Sequence, residues 1–229
     1  MIKMVSVVIP CYNHGIYIDE CVNSVLKQTI SCFEIIIVDD NSSDDTSRIV
    51  KRQESKNPKI KTFFHEKTFG VSCARNFGIR QAVGDYILTL DSDDWIHQEF
   101  LQYTMTVLDS GIADIAYTDI VLFGKKQITR KMPDYRFEDF LNQNQFCSCI
   151  LFHKKHWEEV GGYNETFLDG YEDWEFGINM GNHAHFGHRI SLPLFYYRQK
   201  ANSRNTIARK NEWAIRSRLQ SMYPNLKVS

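Results

Sequence analysis

The sequence predicts an α/β fold: a mostly parallel central sheet flanked by helices, joined to a smaller mixed or antiparallel second half. Three observations carry that prediction. Strand-like runs alternate with stretches of helical period up to Leu90. The early strand runs are continuously apolar, as in strands covered on both faces. Beyond about residue 111 the spacers shorten and strand-like runs follow one another.

Val5-Ser-Val-Val-Ile9 is β-branched and is expected to end at Pro10, since proline cannot donate to a ladder. Ile18, Cys21, Val22, Val25 and Leu26 then share one helical face. Glu34-Ile-Ile-Ile-Val38 is too uniformly apolar for a half-exposed strand. Ser42-Ser43 is expected to open a second helix, with Asp44 and Asp45 in its first turn and Arg48, Lys51 and Arg52 later, as the macrodipole favours. A third strand, Ile60–Phe64, leads through Gly70 to a helix ending near Gly84, and Tyr86–Leu90 is the fourth strand. Right-handed crossovers make such an order parallel. In the second half, 114–123, 125–131, 146–152 and 185–197 read as strands. We divide the chain into residues 1–110, a second half 111–203 and a basic segment 204–229, all within one domain.

Composition narrows the function. With 43% hydrophobic and 24% charged residues the chain is globular, and a net charge of −1 gives no electrostatic case for nucleic acid. No apolar run reaches the roughly twenty residues of a membrane span, and Met1-Ile-Lys-Met-Val lacks a signal-peptide layout, so a soluble cytoplasmic chain is expected. The six cysteines (11, 21, 32, 73, 147 and 149) form no Cys-x-x-Cys pair. They read as buried free thiols rather than zinc ligands or disulfides.

The chemistry-bearing residues gather at strand ends. Asp91-Ser92-Asp93-Asp94 directly follows the fourth strand. Two carboxylates spaced by one residue there face the crevice where ligands bind in open α/β sheets. Their hard oxygens suit Mg²⁺ or Mn²⁺, ions that usually bridge to substrate phosphates. Pro10-Cys-Tyr12-Asn13 and Asp39-Asp40-Asn41-Ser42 end on the same edge. Tyr12 offers a ring for stacking a base, and Asp39 and Asp40 offer acceptors for N–H or ribose hydroxyl groups. Neither a Gly-x-Gly nor a Walker loop occurs, which argues against a dinucleotide or P-loop site.

In order along the chain, Val5–Asn13, Val38–Thr46, Gly70–Gly78, Leu90–Asp94, Gly161–Glu165, Gly170–Glu175 and Tyr196–Ser203 resemble the successive blocks of family 2 glycosyltransferases, inverting enzymes of the GT-A fold. The resemblance implies a nucleotide-sugar donor, most simply UDP-linked, and a hydroxyl acceptor on a glycan or lipid carrier in surface polysaccharide or lipopolysaccharide assembly. It implies that Pro10, Tyr12 and Asn13 line the base pocket, that Asp40 with Asp39 recognises uracil or ribose, and that Arg75 lies near the donor. Asp91 would hold the ribose or a metal-bound water, with Ser92 beside the donor, and Asp93 would ligate Mn²⁺ or Mg²⁺. Asp173, next to Glu172, would be the general base.

One position departs from the pattern. Where the closing block commonly carries a metal-reaching histidine, this chain has Lys200, which has no lone pair for a metal but can pair with phosphate. The competing readings are a sugar-phosphate nucleotidyltransferase, which should open on a glycine-rich basic loop that is absent, and a non-catalytic donor-binding partner subunit, which only Lys200 favours. The basic C-terminal segment, with Ile215, Leu219 and Met222 on one face, could rest on anionic lipid at the inner membrane face or pack on the domain.

Overall fold

Four parallel strands carry the first half: β1 (Val5–Cys11), β2 (Glu34–Asp39), β3 (Ile60–Phe64) and β4 (Tyr86–Thr89), in the spatial order β3-β2-β1-β4. The computed structural model describes residues 3–168, 170–200 and 212–228. Ile35, Ile36, Ile37 and Val38 are fully buried, as a two-sided strand requires, each worth about 1.5–3 kcal/mol of apolar burial. α1 (Ile18–Leu26), α2 (Thr46–Lys56) and α3 (Val71–Gln81) form the crossovers.

Two expectations need correction here. β1 does not stop at Pro10 but runs to Cys11, paired with Asp39 of β2. The Val8 carbonyl accepts from Leu90 N–H on the β4 side, and the last registered β1–β4 pair is Val8 with Thr89. Residue 10 faces the same side as residue 8, so its missing N–H falls beyond the β4 ladder and costs no bond. α2 starts at Thr46, not at Ser42. The intervening residues are spent on the loop: Asp44 accepts from Thr46 N–H and Gly15 N–H, and Asn13 Oδ1 accepts from Ser43 N–H.

The sheet continues into the second half without a break. β4 pairs antiparallel with β8 (Leu151–His153), β8 with β6 (Ile115–Phe123), and β6 runs parallel to β9 (Gly187–Arg198), whose far side carries the two-residue β5 (Trp95–Ile96). β7 (Ile128–Arg130) pairs β6 off that path. The expected mixed second half is therefore present, but with shorter strands. Residues 125–131 give only three strand residues, and 146–150 lie outside β8. In that stretch Ser148 turns its carbonyl to Thr89 Oγ1 and its hydroxyl to Asp91, bonds that a regular ladder does not make. α4 (Phe100–Asp109), α5 (Phe137–Phe140) and α6 (Lys154–Glu159) were not anticipated.

α7 (Glu172–Asn182) follows Tyr171, held at φ 62°. The C-terminal α8 (Glu212–Met222) buries Ile215 and Leu219. It is tied to the domain: Tyr223 Oη donates to Glu175 at 2.6 Å, and the guanidinium of Arg216 lies 4.8 Å from the Trp174 ring centre. Met222 remains 38% exposed, so the expected apolar face is mostly spent inward. Arg204, Arg209 and Lys210 lie outside the described residues. All six cysteines are free, four of them buried. No described helix is long and apolar enough to cross a membrane.

Candidate active site

Because β1, β2 and β4 are parallel, their C-terminal ends open on one edge of the sheet, and the residues singled out above lie along it. The turn after β4 is closed by Asp94 N–H donating to the Asp91 carbonyl at 3.0 Å. The segment after β9 grips it from outside. Arg198 N–H donates to Asp94 Oδ1 at 2.7 Å, and Arg198 Nε donates to the Asp93 carbonyl at 2.8 Å. Lys200 then reaches Asp93 Oδ2 at 2.6 Å and donates to His14 Nε2 at 2.8 Å. His14 Nδ1 lies 2.7 Å from Ser92 Oγ. Burial holds His14 below the usual histidine range, which suits a neutral ring that accepts from an ammonium and donates to a hydroxyl.

Behind this turn lies Arg75. α3 is brought down onto the sheet by Gly78, where a Cβ would stand 2.6 Å from Val8 Cγ1. Arg75 is 1% exposed and bridges two carboxylates, Asp91 Oδ1 at 2.7 Å and Glu172 Oε1 at 2.9 Å. Burial opposes its charge, but those two carboxylates outweigh burial and raise its pKa. The other Asp91 oxygen accepts from Ser148 Oγ at 2.8 Å. Asp91, whose side chain is 29% exposed, thus accepts from a protein group on each oxygen, and Asp93 is the carboxylate that faces the Lys200 ammonium. Asp94 is buried, and burial, then the charges of Asp93 and Asp91, push its carboxyl well above the usual range. Its Oδ2 has no hydrogen-bond partner.

Glu172 and Asp173 occupy the first turn of α7, but their surroundings differ. Glu172 is buried against Arg75. Asp173 is half-buried, with Oδ1 accepting from Trp174 N–H at 2.9 Å. Its carboxyl is pushed up to about 7, by burial first and then by the like charge of Glu172, against the pull of Arg75. A carboxylate with that pKa can take a proton near neutral pH. Arg75 therefore couples the Asp91 turn to the helix end that bears Asp173.

At the end of β1, Tyr12 is 48% exposed while Pro10 is buried. Asn13, at φ 54°, ties the end of β1 to the loop before α2: its N–H donates to Ser42 Oγ at 2.8 Å. Asp39 and Asp40 are buried and occupied by protein groups. Asp39 accepts from Ser42 N–H at 3.0 Å and from the Ser47 hydroxyl. Asp40 accepts from Gly70 N–H at 2.7 Å and Phe69 N–H at 2.9 Å, and lies 2.7 Å from His65 Nδ1. Asp39 thus ties the end of β2 to the start of α2, and Asp40 ties it to the start of α3. A cavity of about 450 Å³, lined by Lys3, Asp85, His153 and Lys154 among others, opens on the opposite edge, so chemistry rather than concavity locates this site.

Sequence reasoning did not single out His14, Ser148 or Arg198 as contacts of the Asp91–Asp94 turn. Arg198 lay inside a block already marked, whereas Ser148 reaches Asp91 across 57 residues with no local signal.

Residues 6–160 match the family model described as glycosyl transferase family 2. The uncharacterized glycosyltransferase EpsJ of Bacillus subtilis is 26% identical over 238 residues, 97% of this chain and 68% of that protein. The chondroitin synthase of Escherichia coli is 28% identical over 215 residues, 91% of this chain but 30% of that protein. Glycosyltransferase GlyG of Streptococcus pneumoniae is 36% identical over 115 residues, half of this chain and 38% of that protein. The chain thus spans well under half of two of these relatives. Among solved structures, TarS 1–349 of S. aureus in complex with UDP-GlcNAc gives a TM-score of 0.81 at 22% identity, over 99% of this chain and 68% of that one. The mannosyltransferase PcManGT of Pyrobaculum calidifontis in complex with GDP-Man and Mn²⁺ gives 0.71 at 17%, over 90% and 60%. At these identities the likeness is one of fold, GT-A.

Proposed function

The chain belongs to glycosyl transferase family 2, and on that footing we propose that it is an inverting transferase that moves a sugar from a UDP-linked donor to a hydroxyl of a glycan or lipid-linked acceptor. Surface polysaccharide assembly is the setting that this acceptor class fits. The observation that carries the proposal is the half-buried Asp173, with its carboxyl pushed up to about 7 and coupled through Arg75 to the Asp91 turn. The UDP-GlcNAc bound to TarS supports the choice of donor class.

In this reading Asp173 takes the acceptor's proton as its oxygen attacks the anomeric carbon. The bond from that carbon to the diphosphate oxygen breaks on the opposite face, and UDP leaves with the electron pair. A single displacement inverts the configuration. Glu172 acts by position: its charge holds Arg75 and raises the basicity of its neighbour. Tyr12 stacks on the base, while Asn13, Asp39 and Asp40 set the loops that frame it. Lys200 meets the diphosphate.

Asp93 would hold the Mn²⁺ or Mg²⁺ that the family implies. The donor set fits such an ion in its sparse form, one protein carboxylate completed by substrate phosphate and water, provided Lys200 gives up its contact at 2.6 Å. When bound, the ion would neutralise charge on the departing diphosphate. The test is a panel of UDP- and GDP-sugars with Mn²⁺, scored by nucleoside diphosphate release and by the anomeric configuration of the product. Release with inversion is expected. Retention of configuration, or no release with any donor, would overturn the reading.

A further inference from the structure

We propose that Asp114, His156 and His185 form a binding site for a divalent transition metal of the zinc type, on the opposite edge of the sheet from the proposed active site. Asp114 immediately precedes β6, His156 lies in α6 just after β8, and His185 precedes β9. Since β8 is antiparallel to β4 and β6, all three meet where β6 and β9 begin.

Geometry carries the case. One ligand atom from each of the three residues lies within 4.8 Å of the others. A triangle of that side has corners about 2.8 Å from its centre, against a metal bond of about 2.0–2.1 Å, so each ligand need move less than about 0.8 Å. His156 Nδ1 is buried and has no hydrogen-bond partner, although its side chain is only 5% exposed. It lies 3.6 Å from Asp114 Oδ1, too long for a hydrogen bond and close to the roughly 3.3 Å that separates two ligands of one tetrahedral ion. A buried ring nitrogen left unpaired beside a carboxylate is costly, and a shared cation removes that cost.

The surroundings orient the three ligands. Asp114 Oδ2 accepts from Phe186 N–H at 3.1 Å, which fixes the carboxylate and leaves Oδ1 turned to His156. Glu159 Oε2 lies 2.8 Å from His185 Nε2, the carboxylate–histidine arrangement that orients an imidazole for a metal. The two imidazoles stack at 3.9 Å between centres and 15° between planes, so binding requires them to tilt until their nitrogens converge. Two imidazoles and a carboxylate suit Zn²⁺, with Co²⁺ as a spectroscopic stand-in, and disfavour Mg²⁺. Such an ion would clamp α6 to the starts of β6 and β9.

The test is a calorimetric Zn²⁺ titration of chelator-treated full-length protein carrying Asp93→Asn, which removes the carboxylate proposed for the active-site metal. One saturable equivalent is expected, weakened at least tenfold by His185→Ala and by Asp114→Asn, with a visible Co²⁺ spectrum lost in the same variants. These two positions are partly exposed and keep the test sound if His156→Ala fails to fold. The proposal is overturned if Zn²⁺ binds no tighter than about 100 μM, or if the variants bind it unchanged.

Discussion

Replacing Asp173 with asparagine keeps the side chain's shape and its bond from Trp174 N–H but removes the proton acceptor. General-base catalysis is typically worth about 10²–10⁴ in rate, so turnover should fall at least a hundredfold while UDP affinity holds. The carboxyl's pKa of about 7 adds a pH signature. The base works ionised, so wild-type turnover should drop about tenfold per unit below pH 7 and level off above it, and Asp173→Asn should lose that slope. Stability should move the other way. A carboxyl whose folded pKa lies above its free value contributes most below about pH 4 and loses that contribution as pH rises through about 7, a change at most on the order of 4 kcal/mol. Asp173→Asn should therefore melt no lower than wild type at pH 8. Glu172→Gln should behave differently: it removes a charge from the fully buried Arg75 and should cost about 3–5 kcal/mol in stability. Initial rates of UDP release from pH 5.5 to 9, with melting curves at the same pH values, read both. Survival of turnover in Asp173→Asn would refute the assignment. Survival of turnover in Asp173→Asn together with its loss in a fully stable Glu172→Gln would move the base to Glu172.

Tyr12→Ala should weaken UDP binding by about 1–3 kcal/mol with little change in melting temperature, because the ring is 48% exposed; a large fall in melting temperature would mark it as a packing residue. Activity should be lost in excess EDTA and in Asp93→Ala, and full activity in EDTA would assign the diphosphate's charge to Lys200 alone. Lys200→Ala should weaken UDP binding by calorimetry, and unchanged affinity would show that the lysine stays with Asp93. The protein should stay out of floated anionic liposomes, because α8 already buries Ile215 and Leu219 against the domain; co-flotation would restore the lipid-facing reading.

The parts of the fold legible in the sequence were those set by local pattern. Glu34–Val38 declared a two-sided strand by composition alone, and the apolar face of α1 followed its 3.6-residue period. What was not legible depended on register and distant partners. Pro10 sits inside a strand because β4 pairing ends before it, a fact about the neighbour rather than about proline. The 146–150 run looks extended by composition, yet Ser148 gives up a ladder to reach Thr89 and Asp91. The candidate site divides in the same way. Its carboxylates announced themselves by spacing, but their protein partners did not: Asp39, Asp40 and Asp91 accept from backbone amides, hydroxyls and Arg75.

That division bears on how the site can handle charge. Arg75 is sealed between Asp91 and Glu172, and Arg198 is held by Glu20 and by the Asp93 carbonyl. Those cations shape the site but are poorly placed to follow a substrate. Lys200 differs, since its chain follows the end of β9 and its ammonium is shared between Asp93 and the neutral His14. In the proposed function an arriving diphosphate would compete with Asp93 for that ammonium, and a Lys200–phosphate contact would free a carboxylate oxygen able to hold a divalent ion. On that proposal the lysine that departs from the family pattern would be compatible with metal use, exchanging partners with the metal instead of replacing it. His14 would favour such an exchange: with burial lowering its pKa, it can accept from the ammonium without adding a repelling charge where a cation would sit.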